Sequence, residues 1–277
     1  MSIDEQIKAA LAEDVGDGDH SSLSTIPKNA MGQAQLLIKE DGILAGIEIA
    51  KKVFHLVDSN IVFEKFIDDG SLVKVGDIAF KVSGLAISIL TSERLALNYM
   101  QRMSGIATKT NYYVQILDGL NTKVLDTRKT TPLMRELEKL SVKLGGGENH
   151  RFGLYDMIMI KDNHIDFAGG ISQAIDATHK YLTEKNKRLK IEIEVRDFDE
   201  LQQVLEHGRV DRIMLDNFTP EEIRKALLLI DHKYETEASG GITEKTIRAY
   251  AEMGVDYISV GALTHHIRSL DMSLKAI

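Results

Sequence analysis

What most limits the fold of this chain is a rhythm in its second half. Short apolar runs recur at Lys123–Asp126, Met157–Lys161, Ile191–Val195, Arg212–Asp216, Tyr234–Ser239 and Asp256–Gly261. Amphipathic segments of helical length lie between several of them, including Asp197–His207, Pro220–Ile230 and Glu244–Met253. Runs that are apolar throughout suit strands covered on both faces. Their alternation with helices predicts βαβ units around a parallel sheet. The stretch offers only about 155 residues, whereas a complete eightfold barrel usually takes ~200 or more. The expectation is therefore a shortened or open α/β barrel of about six or seven strands.

Residues 1 to about 105 read differently. The spacing of Ile3, Ile7 and Leu11 predicts a helix over 3–12. Asp14–Ser24 reads as a Gly/Asp/Ser loop, and Ala34–Lys39 and Ile78–Val82 as strands. Ile43–Val57 reads as an apolar-faced helix, and Ser88–Leu117 as one long helix that Gly105 could bend. This division predicts two domains, 1–105 and 106–264, with a C-terminal helix over 265–277 that packs back on the first. Beyond the alternation there is no repeat, no low-complexity tract and no flexible linker.

Charge and composition narrow the function. The chain carries 34 Lys and Arg against 42 Asp and Glu, a net charge of -8. That balance disfavours general nucleic-acid binding, so any anionic ligand needs a local basic cluster. With no cysteine, disulfides, thiolate metal sites and a cysteine nucleophile are excluded, which fits a cytoplasmic protein. Met1-Ser2-Ile3-Asp4-Glu5 is acidic where a signal peptide would be basic and then apolar. No apolar run reaches the ~18 residues of a membrane helix, so no membrane partner is expected.

Barrel enzymes place their chemistry at the C-terminal ends of the strands. The residues just past each apolar run are therefore the ones to read. The first run ends in Asp126-Thr127-Arg128-Lys129 and the second in Lys161-Asp162. The third carries Glu192 and Glu194, and the fourth ends in Asp216-Asn217. The last two end in Ser239-Gly240-Gly241 and Val260-Gly261-Ala262. Cations come from the early strands, carboxylates from the middle and glycines from the end. A solvated rim would mix these types.

Both glycine turns read as preceding a helix start, where exposed backbone N–H groups suit a phosphate. Such barrels often bind phosphate at their last two loops. From Lys123 to Lys161 the chain has eight Lys and Arg against five Asp and Glu, a local positive surplus. Within it, Arg135, Lys139 and Lys143 share a helix face and read mostly as solvated. Arg128, Lys129 and Lys161 stand at strand ends instead. His150-Arg151 follows the flexible Gly145-Gly146-Gly147, and together they suit a ligand with more than one carboxylate. His55, His265 and His266 read as structural or surface residues. Glu194 and Asp216 could bind ribose hydroxyls, bind Mg2+ directly or through water, or neutralise nearby lysines.

At these residues the chain resembles a known family. Glu93-Arg94-Leu95-Ala96-Leu97-Asn98, Ser104-Gly105-Ile106-Ala107-Thr108 and Asp126-Thr127-Arg128-Lys129-Thr130-Thr131-Pro132 are similar to blocks of the quinolinate phosphoribosyltransferases. So are Gly146-Gly147-Glu148-Asn149-His150-Arg151, Ile160-Lys161-Asp162-Asn163-His164, Glu192-Ile193-Glu194-Val195, Leu215-Asp216-Asn217-Phe218 and Ala238-Ser239-Gly240-Gly241-Ile242. Glu13-Asp14-Val15-Gly16-Asp17-Gly18-Asp19 resembles the family's N-terminal block, and the likeness spans nearly the whole chain. One departure is an extra residue around Arg209, between Glu194 and Asp216.

The resemblance implies an N-terminal α/β sandwich followed by an open, incomplete α/β barrel of about seven strands. It also implies a homodimer in which Arg94 reaches into the partner's site. The implied reaction joins quinolinate to phosphoribosyl pyrophosphate and releases pyrophosphate and carbon dioxide, giving nicotinate mononucleotide. Arg128, His150, Arg151, Lys161 and the partner's Arg94 would clamp the two ring carboxylates. Lys129, Glu194 and Asp216 would hold phosphoribosyl pyrophosphate with Mg2+, and Thr127 would join the binding set. Ser239, Gly240, Gly241, Val260, Gly261 and Ala262 would hold the 5'-phosphate. Lys129, Lys161, Glu194 and Asp216 would carry the catalytic roles.

Three other readings compete. Lys161, at the end of an inward strand, is placed as a Schiff-base lyase would need it, although the flanking arginines argue against that. A paralogue acting on nicotinate would have one carboxylate to bind, too few for Arg128, His150 and Arg151 together. A non-catalytic binding module would be expected to have lost Lys161 or the acidic pair.

Overall fold

The computed structural model describes residues 2–277. The chain forms two compact units: residues up to Asn111 with Thr131–Gly146 and His266–Ile277, and Tyr112–Thr130 with Gly147–His265. A single uninterrupted helix of 31 residues, Ala86–Ile116, runs through the boundary expected at residue 105. Gly105 does not end it. A Cβ there would run into the carbonyl oxygen of Arg268, so the missing side chain lets the 268–269 backbone lie directly on the helix.

The first unit is built on a four-stranded antiparallel sheet in the order Met272–Ala276, Met31–Ile38, Ile78–Leu85, Val62–Lys65. Along Met31–Ile38 the buried residues Ala34, Leu36 and Ile38 alternate with more exposed ones, so a single face is covered. That face shares a core with Ile49, Val53 and Phe54 of helix Ile47–Val57 and with Leu95, Met100 and Met103 of the long helix. Phe63 and Phe80 stack at 4.4 Å in this core, with Phe54 tilted against both. Helices on a sheet are the expected sandwich.

Several local expectations are corrected. The segment after His265 returns to the first unit as the strand Met272–Ala276 rather than as a helix; Leu270, Met272 and Leu274 are buried at strand period. Asp14–Ser24 is not all loop, since Asp19 accepts the Ser22 amide and caps a helix over His20–Thr25. The helix expected from Ile43 starts at Ile47, after Gly46 at φ 102° and a two-residue strand, Gly42–Ile43. Helix Arg135–Leu144 belongs to the first unit, where Leu137 joins the core and buried Glu138 binds Arg102 at 2.5 Å. Lys139 on this helix is 1% exposed, so it is no solvated-face lysine.

The second unit carries the predicted parallel sheet. Its strands are β1 (Lys123–Leu125), β2 (Ile158–Ile160), β3 (Ile191–Val195), β4 (Arg212–Asp216), β5 (Glu235–Ser239) and β6 (Tyr257–Ser259). They lie in the order β1-β6-β5-β4-β3-β2, and every pair is parallel. The barrel is open, with β1 and β2 at its two edges. Where a seventh strand would flank β1 there is one bridge, Leu125–Glu148, just after the strand-poor Gly145-Gly146-Gly147. Helices Phe198–His207 and Pro220–Ile230 connect successive strands, each held by an N-cap, Asp197 and Thr219. Arg209, at the extra residue, takes φ 65° between helix Phe198–His207 and β4, away from the strand ends.

Candidate active site

The second unit holds a cavity of about 680 Å³ at the C-terminal ends of its strands. Each strand delivers a side chain to it. Thr127, Arg128 and Lys129 follow β1, Lys161 follows β2, and Glu194, Asp216, Ser239 and Ser259 lie at the ends of β3 to β6. His150 and Arg151 enter from the connection between β1 and β2. Gly240, Gly241, Gly261 and Ala262 complete the predicted lining. Two predicted residues do not line it. Val260 is 2% exposed and its amide is spent on the carbonyl of Leu125 at 2.9 Å. Arg94 belongs to the first unit and is exposed on the long helix.

The cations are held by local bonds. The Lys129 amide donates to Thr127 Oγ1 at 3.0 Å, and Thr264 Oγ1 donates to the Lys129 carbonyl at 2.8 Å. Arg151 reaches the Met157 carbonyl at 3.2 Å. Burial, and after it the charge of Arg128, hold the Arg151 guanidinium below its usual value. Two arginines that repel each other in a cleft are arranged for an anion. Lys161 Nζ lies 2.5 Å from Glu194 Oε2, so one carboxylate holds that ammonium in place.

Beneath these residues lies a buried charged layer. His150 Nε2 faces Glu192 Oε2 at 2.9 Å and Glu237 Oε2 at 3.4 Å, with both carboxylates fully buried. Arg212 reaches Glu237 at 3.2 Å and Glu235 at 2.9 Å, and its guanidinium lies 4.1 Å over the Tyr257 ring. Burial disfavours the imidazolium, but Glu192 and Glu237 outweigh it and raise His150 to about 9. Burial, then the charge of Glu237, raise Glu192 to about 7. Burial would raise Glu237 too, yet the bond and charge of His150, with Ser259 and Arg212, bring it below the usual carboxylate range. The Arg151 amide donates to His150 Nδ1 at 2.6 Å, which favours a neutral ring. Two buried carboxylates outweigh one amide, so the ring is the cation of this cluster, and the amide contact at Nδ1 is given up when that nitrogen takes its proton. Donor atoms of His150, Glu192 and Glu237 lie within 4.8 Å of one another, close enough for a metal. His150 and Arg212 already balance both carboxylates, which removes the need for one.

The glycine turns follow β5 and β6, and β6 lies beside β1, whose end carries Arg128 and Lys129. Gly240 has φ 101°, and a Cβ there would press on Asn217. Gly241 has φ 60°, and a Cβ there would meet nothing within 4 Å. At Gly261 a Cβ would lie 3.0 Å from Lys129 Cδ and 3.1 Å from His265 Nε2. The expected helix follows Val260-Gly261-Ala262 directly, as Ala262–His265, but after Ser239-Gly240-Gly241 the next helix begins only at Ile247. A phosphate bound there would meet the turn and the hydroxyls of Ser239 and Thr243 rather than a helix terminus.

Other cavity residues were not foreseen. His265 lines the cavity, one helical turn beyond Gly261. Glu237, Met159 and Met214 also line it. The signal for Glu237 was its place two residues before Ser239 in a strand, on the same face. His55, by contrast, pairs with the Ile61 carbonyl at 3.1 Å in the first unit, as a structural histidine would.

Comparison with known proteins gives the family of the chain. Residues 19–104 match the family model of the quinolinate phosphoribosyl transferase N-terminal domain, and residues 106–275 match that of the C-terminal domain. The chloroplastic nicotinate-nucleotide pyrophosphorylase [carboxylating] of Arabidopsis thaliana is 45% identical over 284 residues, covering 97% of this chain and 81% of the relative. NadC from Streptococcus pyogenes superposes with a TM-score of 0.94 at 40% identity, covering 99% of this chain and 97% of the other. The nicotinate-nucleotide pyrophosphorylase of Francisella tularensis gives 0.93 at 39% identity, covering 99% and 96%.

Proposed function

The chain belongs to the quinolinate phosphoribosyltransferase family, and from that membership and its cavity we infer a decarboxylating phosphoribosyl transfer in NAD biosynthesis. Quinolinate and phosphoribosyl pyrophosphate enter; nicotinate mononucleotide, pyrophosphate and carbon dioxide leave. The observation that carries this reading is one cavity holding Arg128, Lys129, Arg151 and Lys161 together with two glycine turns. The cations suit two ring carboxylates and a pyrophosphate, and the turns suit a 5'-phosphate.

Arg128, Arg151 and Lys161 clamp the carboxylates, with His150 in the wall and the partner subunit's Arg94 closing the site in a homodimer. The exposure of Arg94 supports that last role. Holding the ring nitrogen against the anomeric carbon is the main catalytic service, because it converts an encounter into an oriented, unimolecular step. As the bond to pyrophosphate lengthens, negative charge gathers on the leaving group, and Lys129 is the cation that neutralises it. Glu194 and Asp216 face the ribose, whose developing positive charge they favour. Their oxygens also fit Mg2+, which they would hold directly or through water. When bound, Mg2+ supplies neutralisation of the leaving pyrophosphate. Loss of carbon dioxide then removes the carboxylate crowded beside the new quaternary nitrogen, leaves the bond's electron pair on the ring carbon next to that cation, and is completed when the carbon takes a proton from water. Thr127 and the turns at Ser239–Gly241 and Gly261–Ala262 hold the phosphoribosyl end.

The Schiff-base alternative is weakened by the Lys161–Glu194 contact, since an ammonium held by a carboxylate is no free amine. We assign the protein to the cytoplasm, which its lack of cysteine fits; no helix among the described residues is long and apolar enough to cross a membrane. The test is a coupled assay of the purified protein with quinolinate, phosphoribosyl pyrophosphate and Mg2+, with nicotinate run in parallel. Equal release of nicotinate mononucleotide and carbon dioxide, with nicotinate inert, is the expected result. Turnover of nicotinate alone, or of neither, would refute the substrate assignment.

A further inference from the structure

We propose that Glu192, Glu237 and Arg212 are positioning residues: a buried ionic floor that fixes His150 and, through the adjoining backbone, Arg151. The proposal rests on the reading of the cavity as the quinolinate site and adds residues to it. His150 is held at two points. Its amide donates to Asp126 Oδ1 at 2.9 Å, and its Nε2 faces Glu192 at 2.9 Å and Glu237 at 3.4 Å. A residue anchored by both backbone and ring cannot rotate, and Arg151 is the next residue in the chain.

The floor spans the sheet. Glu192 on β3 is the register partner of Arg212 on β4, and Glu237 on β5 is the partner of Tyr257 on β6. Arg212 ties Glu237 to Glu235 and lies on the Tyr257 ring, so its own position is fixed from three sides. With Glu235, which Lys190 holds at 3.2 Å, three carboxylates face one imidazolium, Arg212 and Lys190, and the layer is close to neutral. Neutrality matters beneath a site for polyanions. A carboxylate left alone there would repel the ligand, and a buried charge without its partner is costly to keep.

Glu192 and Arg212 do not line the cavity, so a change at either can reach the substrate only through the floor. The experiment is steady-state kinetics on the full-length protein, with quinolinate and phosphoribosyl pyrophosphate varied separately. Glu192→Gln should raise the quinolinate KM about tenfold, leaving the KM for phosphoribosyl pyrophosphate and kcat within about threefold. The double variant Glu192→Gln with His150→Gln should be no worse than the worse single, because both break one unit. Wild-type KM in Glu192→Gln, or full additivity in the double variant, would overturn the proposal. Should Glu192→Gln not fold, Arg212→Lys keeps the charge but loses the two-pronged grip; an unchanged quinolinate KM there overturns it as well. Ring-nitrogen NMR of isotope-labelled histidine in the ligand-free protein separates this from the functional reading. The His150 signals should move in Glu192→Gln whether or not quinolinate proves to be the substrate, and unmoved signals sink the floor alone.

Discussion

Replacing Gly240 by alanine, with Gly241 as its control, tests the geometry of the phosphate turn. Both residues have positive φ, 101° and 60°, so an added Cβ costs each about 1–2 kcal/mol of backbone strain. Their surroundings differ. At 241 the new methyl meets nothing within 4 Å, and the strain is the whole cost. At 240 it presses on Asn217, against the side-chain oxygen and 2.8 Å from the backbone nitrogen. That nitrogen cannot retreat freely, because its N–H donates to the Ser239 carbonyl at 2.8 Å across β4 and β5. Overpacking against a fixed backbone adds about 1–3 kcal/mol. Gly240→Ala should therefore lose roughly 2–5 kcal/mol against roughly 1–2 for Gly241→Ala. The push also reaches the site, since Asn217 Nδ2 donates to Asp216 at 2.6 Å. Urea unfolding gives the stabilities, and calorimetric titration with phosphoribosyl pyrophosphate gives the affinities. If the two variants agree within about 0.5 kcal/mol, or if Gly240→Ala binds phosphoribosyl pyrophosphate like wild type, the coupling between these strand ends is wrong.

Other expectations follow from single contacts. Gly261→Ala places its methyl against Lys129 and His265, both flexible side chains, so stability should change by less than about 1 kcal/mol while the KM for phosphoribosyl pyrophosphate rises about tenfold; an unchanged KM would remove Gly261 from the phosphate site. His150, raised to about 9 from 6.5, binds its proton more tightly when folded. Its contribution is whole below pH 6.5 and is lost as pH rises through 9, with a ceiling of roughly 3 kcal/mol. Glu192, raised to about 7, loses its share in the same direction as pH rises towards 7, whereas the lowered Glu237 loses stability only as pH falls. Urea unfolding from about pH 6.5 to 9.5 should show a falling free energy that His150→Gln flattens, and a flat wild-type profile would contradict the charge state of the floor. Borohydride added with small keto acids or sugar aldehydes should leave the mass of the protein unchanged, because Glu194 holds the Lys161 ammonium; an adduct on Lys161 would reopen the lyase reading.

The barrel was legible because its signals are local. Ile191–Val195, Arg212–Asp216 and Pro220–Ile230 occupy the residues predicted for them, each an apolar stretch with a clear boundary. Strand ends then named most of the cavity without further knowledge. Val62–Lys65 was missed because it is an edge strand, mostly exposed and without the alternation that marks a buried face. Met272–Ala276 was mistaken for a helix because only pairing with Met31–Ile38 gives it a strand's environment. The floor was invisible for a different reason. Arg212 and Glu237 are charges inside strands, and nothing local distinguishes a buried charge from a solvated one. Only the register, which sets Glu192 beside Arg212 and Glu237 beside Tyr257, brings their partners within reach.

The acidity of the chain would seem to oppose a polyanionic substrate, since the net charge is -8. Screening decides the matter. At physiological ionic strength the Debye length is about 8 Å, so most of the surface acids act weakly at the cavity. The lining residues act at shorter range, and there Arg128, Lys129, Arg151 and Lys161 stand with Glu194 and Asp216. The floor beneath balances itself, so the cavity keeps a positive surplus that the rest of the chain does not cancel. Its carboxylates are what make that surplus tolerable. Glu194 on Lys161, and Glu192 and Glu237 on His150, hold cations in position before any ligand arrives. A site held by fixed ion pairs needs little rearrangement when charge develops on the leaving group, and that preorganisation is where electrostatic catalysis takes its advantage.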